Sequence, residues 1–193
     1  MAQDSQTNTS HTAKTILEAQ LRECYGRVVY SHKTHEKCAD ILLARLSTIK
    51  LWQMILSACT AGGFISTLLG SGQVGSVIGV TLSTILLVLS AYTKNYDLGE
   101  LAQKHKQSAN EIWLIREKYL TLLTDLAIGE KSLSKIQEER DELLDALHSI
   151  YAGSPSTTFE AYRKAQDALQ TKEDLTFTSE EIDQFLPNEL RRS

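Results

Sequence analysis

Residues 51–93 form a run of 43 residues that contains no Asp, Glu, Lys, Arg or His. A membrane-spanning helix needs about 20 mostly apolar residues to cross roughly 30 Å of hydrocarbon, so the run is too long for one span and long enough for two. The segment Gly70-Ser71-Gly72-Gln73 separates 51–69 from 74–93 and predicts a tight turn. Because backbone amides in lipid must be satisfied within a helix or a closed barrel, and no period-two alternation is present, the run predicts a transmembrane helical hairpin. The alternative is a buried hairpin of a soluble protein, although soluble core helices usually keep a polar edge.

The charge distribution limits the partners of the rest of the chain. The 193 residues carry a net charge of −4, and residues 94–193 hold 13 basic against 19 acidic residues. Surfaces that bind nucleic acids need clustered Lys or Arg to contact phosphates. We therefore expect no direct nucleic-acid binding.

The residues that flank the hairpin predict its orientation. Arg45 and Lys50 precede it and Lys94 follows it, whereas the turn between its helices is uncharged. By the positive-inside rule, both termini are expected in the cytoplasm. The three cysteines, Cys24, Cys38 and Cys59, are scattered and odd in number, which favours free thiols in a reducing compartment.

The N-terminal part predicts helices that lead into the membrane. Residues 1–12 are polar, lack the features of a signal peptide and are predicted to be disordered. Residues 13–50 are predicted to form cytoplasmic helices with a break near Gly26 and Ser31, and the last of these helices continues into the first membrane helix. The apolar residues of the first segment recur at steps of three and four: Ile16, Leu17, Leu21, Cys24 and Val28.

Residues 94–193 predict a cytoplasmic helical domain with a heptad pattern. Gly129 is placed to end the first long helix, and a second helix is expected over 132–151. Such a pattern requires a partner helix, so we expect these two helices to pair as an antiparallel hairpin and to join the N-terminal helices in a bundle. The residues of the pattern are Leu98, Leu101, His105, Ser108, Ile112, Ile115, Tyr119, Leu122 and Leu126, followed by Leu133, Ile136, Arg140, Leu143, Leu147 and Ile150. Two capping boxes, Thr157 with Glu160 and Thr178 with Glu181, predict two short helices at the end of the chain.

No motif in the chain indicates an enzyme. P-loops, nucleophile elbows and Cys-x-x-Cys pairs are absent from the sequence. His32, His35, Glu36 and Cys38 have a spacing that suits a zinc site, but a fourth ligand is not evident, and a polar helix junction near a membrane is the alternative. His105, at a core position of the heptad pattern, is interpreted as a packed or paired histidine. We expect no cofactor and no catalytic residues.

Small residues recur every four positions along both membrane helices. Such residues let helix backbones approach closely in lipid, either within a hairpin or between subunits. The predicted packing residues are Ala58, Gly62, Ser66 and Gly70 on the first helix and Gly75, Gly79 and Ser83 on the second.

A second stripe on the first membrane helix is rich in hydroxyls. Its members lie within about 40° of one line at 100° per residue, and they are Gln53, Ser57, Thr60, Phe64, Thr67 and Ser71. They are candidates to line a pore in which Phe64 forms an apolar constriction. The alternative is that the Ser and Thr hydroxyls bond to their own backbone. Two spans per subunit cannot enclose water, so a pore would require several copies around an axis.

Several blocks of the chain, in their order, resemble a known family. These blocks are 28–40 (VVYSHKTHEKCAD), 50–53 (KLWQ), 101–105 (LAQKH), 109–119 (ANEIWLIREKY) and 175–187 (LTFTSEEIDQFLP). They are similar to the SLATT family, the bacterial two-transmembrane effector domain of antiphage conflict systems, and most like its reverse-transcriptase-associated subfamily. The resemblance covers nearly the whole chain from about residue 15.

The fold predicted from the residues is an all-α membrane protein with both termini in the cytoplasm, and the resemblance implies that its membrane is the bacterial inner membrane. It implies an antiphage effector that oligomerises into a pore or perturbs the bilayer after an infection signal and so kills or arrests the cell. The implied partners are the lipid bilayer, further copies of the chain, and a nucleotide second messenger or a neighbouring reverse transcriptase or nucleotide synthase. The alternative is a passive two-span anchor whose cytoplasmic coiled coil recruits a partner protein.

Overall fold

A computed structural model describes the backbone of residues 2–68 and 72–191 and the side chains of 11–63 and 75–191. Within these ranges the chain is all-α, with 87% helix and no strand, which confirms the predicted fold class. Six helices follow one another and are succeeded by a 3₁₀ turn at Asn188–Leu190. They are α1 (Ala2–Leu68), α2 (Gly72–Asn95), α3 (Leu98–Ile128), α4 (Leu133–Gly153), α5 (Phe159–Gln170) and α6 (Ser179–Phe185).

Helix α1 is continuous over its 67 residues, so the prediction of a break near Gly26 and Ser31 was wrong. The polar patch at 31–36 is not a junction: His32, Lys33, Thr34 and His35 are buried in the bundle, and their packing holds the helix through this segment. Helix α1 also begins at Ala2, where disorder was predicted. Because no Gly or Pro occurs between residues 2 and 25, nothing in the sequence stops the helix from extending in this direction.

The apolar run forms the end of α1 and the whole of α2, and these two helices pack against each other. Of the predicted turn, Gly72 and Gln73 are already helical, whereas Gly70 and Ser71 lie outside the described residues. The facing residues of both helices are half-buried and recur at steps of three and four: Ile49, Gln53, Leu56, Thr60 and Gly63 on α1, and Gly75, Gly79, Leu82, Leu86, Leu89 and Thr93 on α2.

The remaining surface of the hairpin is apolar and exposed. Both helices are long and apolar enough to cross a membrane, and only 6% and 0% of their most apolar 18-residue windows are buried within the chain. A hairpin in the core of a soluble protein would be largely buried. The exposure therefore argues against the soluble alternative and for two membrane spans.

Outside the hairpin, the helices form a bundle in which the first half of α1 packs along α3, α4 and α5. The heptad pattern of α3 is confirmed from His105 to Leu126, whose core positions are all buried, but Leu98 is half-buried and Leu101 is 37% exposed. On α4, Ile136 and Leu143 are buried, and Arg140 is half-buried and donates from Nη1 to Gln20 Oε1 at 2.8 Å. The main partner of α3 is α1 rather than α4, which the sequence did not indicate.

The helix ends follow local chemistry. Gly129 ends α3 with a left-handed φ of 81°, as predicted, and the capping box of Thr178 with Glu181 at the start of α6 is confirmed. The other predicted box was wrong by one residue, because Thr158 rather than Thr157 accepts the N–H of Ala161 and caps α5. Glu160 is instead paired with Arg45 at 3.0 Å, so it does not reach back to the cap.

Candidate functional site

Aromatic residues mark the end of the hairpin that adjoins the bundle. Trp52 on α1 is 55% exposed, Tyr92 on α2 is 44% exposed, and Tyr96 follows one turn later with its ring 5.0 Å from that of Tyr92. Trp and Tyr are enriched where membrane helices reach the headgroup layer, and Lys50 and Lys94 lie beside them. This placement of Trp52, Tyr92 and Tyr96 was not predicted from the sequence, although Trp and Tyr at both ends of an apolar run are a visible signal.

The candidate packing residues are not all on one surface. Gly75 and Gly79 face α1, whereas Ala58 and Gly62 are exposed on the outer side of α1. The side chain of Ser66 and the whole of Gly70 lie outside the described residues. A Cβ added at Gly62, Gly63 or Gly79 would meet nothing within 4 Å. The close backbone approach that these glycines permit is therefore not used between the two helices of one chain.

A cavity of about 480 Å³ lies between the two membrane helices. Thr60 and Gly63 line it from α1, and the packing candidates Gly75, Gly79 and Ser83 line it from α2. The hydroxyls of Thr60 and Thr84, on opposite walls, donate to the backbone carbonyls of Leu56 and Val80 at 2.8 and 2.9 Å. These two hydroxyls are satisfied, so they add little polarity to the walls.

The candidate pore-lining residues also lie on more than one side of α1. Gln53 Nε2 donates to Thr93 Oγ1 at 3.4 Å and to Ser90 Oγ at 3.5 Å across the hairpin, and Thr60 also faces α2. Ser57 is exposed on another side of α1. The side chains of Phe64 and Thr67, and all of Ser71, fall outside the described residues. In one chain, Gln53 and Thr60 thus help to hold the hairpin together, and a pore-lining role for the stripe stays a prediction.

Three histidines, His32, His35 and His105, are buried in the bundle. The Nδ1 atoms of His35 on α1 and His105 on α3 lie 3.0 Å apart, and His105 is 2% exposed. The interpretation of His105 as a paired histidine fits this contact, but its partner was not identified from the sequence. Hydrogen bonding between two Nδ1 atoms requires one of them to be an acceptor, so the pair includes a neutral ring.

The predicted zinc candidates do not converge on one point. His32 Nε2 lies 3.8 Å from Glu36 Oε1, His35 turns to His105, and Cys38 is a buried free thiol. No group of three His, Cys, Asp or Glu side chains suited to a metal ion occurs in the part of the chain that the structure describes. The three buried histidines are therefore placed to pack in the core as neutral imidazoles.

Burial makes the histidines poor bases. Desolvation, together with the neighbouring rings of His105 and His32, lowers the pKa of His35 to about 4. Burial also lowers the pKa of His105. For His32, burial lowers the pKa against the opposing effect of Glu36, and the charges of Arg116 and Lys33 lower it further.

The bundle is therefore expected to lose stability in mild acid. Above about pH 6.5 the histidines are neutral in both the folded and the unfolded chain, and their contribution to the stability of the fold is fully present. As the pH falls from 6.5 towards 4, the unfolded chain binds protons that the folded chain excludes, so the melting temperature should fall. Replacing His105 with Gln should reduce this pH dependence, whereas His148→Gln on the exposed face of α4 should not. A melting temperature that stays constant from pH 7.5 to 5 would contradict this.

Two apolar helices long enough to span a membrane, joined to a helical bundle, are the features of a two-transmembrane protein. The family model described as "SMODS and SLOG-associating 2TM effector domain family 4" (SLATT_4) matches residues 17–181, and the chain belongs to this family. Comparison with curated proteins and with solved structures found no match. The family predicted from the sequence is confirmed, and the reverse-transcriptase-associated subfamily stays a prediction. Membership implies a membrane effector in conflict or defence systems.

Proposed function

We propose that the chain is an effector of a bacterial antiphage defence system that resides in the inner membrane with both termini in the cytoplasm. After an infection signal, several copies assemble and breach the bilayer, which kills or arrests the cell. A single hairpin cannot enclose water, so the breach requires oligomers. The signal is a nucleotide second messenger or the product of a neighbouring reverse transcriptase or nucleotide synthase, received by the bundle or by a partner protein.

The observation that carries assembly is the unused space at the glycines. A small residue in a membrane helix favours close backbone contact with another helix. Gly62 is exposed and Gly79 borders an open cavity, and an added Cβ at either position would meet nothing within 4 Å among the residues that the structure describes. Contacts with a second copy of the chain would account for the open space at both glycines.

A passive scaffold is the second candidate. The bundle leaves Trp113 and Leu114 on α3 about half exposed, together with Leu144 on α4, and such residues suit the recruitment of a partner protein. In that case the hairpin would only tether the chain.

Replacing residues 51–93 with an unrelated two-span anchor separates these candidates. The effector proposal expects cells with the replaced hairpin to lose growth arrest after infection, while the protein remains in the membrane fraction. A scaffold should keep its activity. Undiminished arrest with the foreign hairpin would therefore refute the proposal.

Gly79→Leu is expected to block assembly without unfolding the hairpin. One chain has room at this position, because a Cβ there meets nothing within 4 Å, but a leucine would keep a second backbone away. Cross-linking in membranes should show smaller oligomers and toxicity should fall. Val80→Leu is the control, since Val80 is 67% exposed and already branched. Unchanged oligomers in Gly79→Leu would exclude this surface from assembly.

A further inference from the structure

A cavity of about 280 Å³ lies in the cytoplasmic bundle between α1, α3 and the segment that follows α5. Tyr25 and Val29 line it from α1, Arg116 lines it from α3, and Leu169 and Asp174 line it from the far side. It is separate from the membrane hairpin. The aromatic and aliphatic walls surround a single cationic side chain, which is the usual composition of a small-molecule site.

Arg116 has too few partners for a buried cation. Its side chain is only 13% exposed, and its Nε atom is buried without a hydrogen-bond acceptor among the residues that the structure describes. The adjacent residue, Glu117, places Oε1 3.5 Å from Nε, which is a loose ion pair without a hydrogen bond. A guanidinium N–H that is removed from water and left without an acceptor costs free energy, and here that donor is Nε. Buried polar groups without partners are rare and call for an explanation.

The acidic residue in the cavity wall, Asp174, is occupied elsewhere. Asp174 pairs with Lys33 Nζ at 3.0 Å, and Lys33 also holds Glu36 at 3.0 Å. These carboxylates therefore neutralise Lys33 rather than Arg116. A second buried atom without a described partner, His32 Nδ1, lies in the same region, since the charge of Arg116 acts on His32.

The wall opposite Arg116 is held in place by contacts to α1. Glu173 and Leu175, on either side of Asp174, have left-handed φ angles of 54° and 70°, which are unfavourable for residues other than glycine. The Asp174–Lys33 pair and a hydrogen bond of 2.6 Å from Gln170 Nε2 to the Tyr30 hydroxyl fix this segment over the cavity. Strain of this kind is often found at ligand clamps.

We propose that this cavity binds a small organic oxyanion, whose phosphate or carboxylate group pairs with the guanidinium of Arg116. The planar fork of Arg matches both groups with two parallel hydrogen bonds. The flat or apolar body of the ligand packs against Tyr25, Val29 and Leu169. The volume of about 280 Å³ lies just below the usual range of roughly 300–1,000 Å³ for ligand sites, so it suits one small molecule. This site goes beyond the membrane role, and it does not depend on pore formation.

Thermal unfolding of the full chain in detergent micelles tests the site with three probes: AMP, benzoate and adenosine. A ligand that binds only the folded chain raises the melting temperature with its concentration. AMP should raise it if the head group is a phosphate, and benzoate should raise it if the head group is a carboxylate. Adenosine lacks an anion and should have no effect. If neither anion shifts the melting temperature, or if adenosine acts as strongly as AMP, the proposal is wrong.

Arg116→Met tests the anchor. The affinity for the active anion should fall by roughly 10- to 100-fold, because charge-assisted hydrogen bonds are lost. Arg22→Met is the matched control, since the side chain of Arg22 is 72% exposed and far more hydrated. Without ligand, Arg116→Met should melt at or above the wild-type temperature, because a buried N–H donor that has no acceptor is removed. Unchanged affinity, or a ligand-free melting temperature several degrees lower, would assign Arg116 a structural role and overturn the proposal.

Discussion

Ile85→Arg is expected to prevent stable insertion of the hairpin. Ile85 lies near the middle of α2's apolar segment and is 44% exposed on the chain's surface. If that surface faces lipid, an arginine there costs about 2.5–3.5 kcal/mol, which is roughly a 100-fold change in the insertion equilibrium. The fraction of the protein that resists alkaline extraction from membranes should fall sharply.

Ile128→Arg is the matched control for this prediction. Ile128 is 61% exposed at the end of α3, in the bundle outside the hairpin, and is therefore even more accessible than Ile85. A cation near a helix C-terminus is favourable, so this substitution should leave insertion and folding intact. Two exposed isoleucines thus differ only in the medium around them. Equal extraction of both variants would contradict the placement of α2 in the membrane.

Leu122→Ala is expected to destabilise the bundle by about 2–5 kcal/mol. Leu122 is 2% exposed in the core cluster, where α3 packs with Leu21 and Val28 of α1 and with Ile136 and Leu143 of α4. Removing its isobutyl group leaves a cavity that the surrounding helices cannot fill completely. Urea unfolding of the full chain in micelles, followed by the fluorescence of Trp113, should show a lower midpoint.

Leu120→Ala, two residues away on the same helix, separates core packing from helix propensity. Leu120 is 43% exposed, and alanine is the better helix former, so the midpoint should change by no more than about 0.5 kcal/mol of stability. If both substitutions lower the midpoint equally, Leu122 does not lie in a packed core. If neither substitution lowers the midpoint, the core cluster around Leu122 does not stabilise the bundle.

The sequence predicted the helices of the bundle more reliably than their partners. The heptad pattern from His105 to Leu126 identifies one face of α3, because burial repeats with the helical period. It does not say which helix covers that face, and α1 proved to be the main partner. For the same reason, His105 was assigned to the core, but its contact with His35, 70 residues away, could not be read from a local pattern.

The continuity of α1 could not be predicted from the sequence, because a run of polar residues such as 31–36 usually indicates a junction between helices. Lys33 is 8% exposed, and the two carboxylates around it compensate its charge. Such compensation comes from Asp174, near the other end of the chain, so the sequence around Lys33 gives no hint of it. The same limit applies to Arg116, whose Nε is left buried without a hydrogen-bond acceptor only once α1, α3 and the segment after α5 are brought together.

The membrane surface shows a comparable limit. Gly75, Gly79 and Ser83 recur every four residues along α2 and line the same cavity, and their role in packing stays a prediction. The spacing of Gln53 and Thr60 likewise placed them along one side of α1, and that side faces α2. A stripe defined by spacing alone does not distinguish contact within a hairpin from contact with water in an assembled pore. That distinction requires the oligomer.

Membrane polarisation during infection tests the central claim most directly. Cells that carry the chain with the genes next to it should lose the signal of a voltage-sensitive dye after infection and before lysis. Cells in which the hairpin carries Gly79→Leu should stay polarised and lose protection. If infected cells with the wild-type chain are protected while their membranes remain polarised, the proposed breach of the bilayer is wrong.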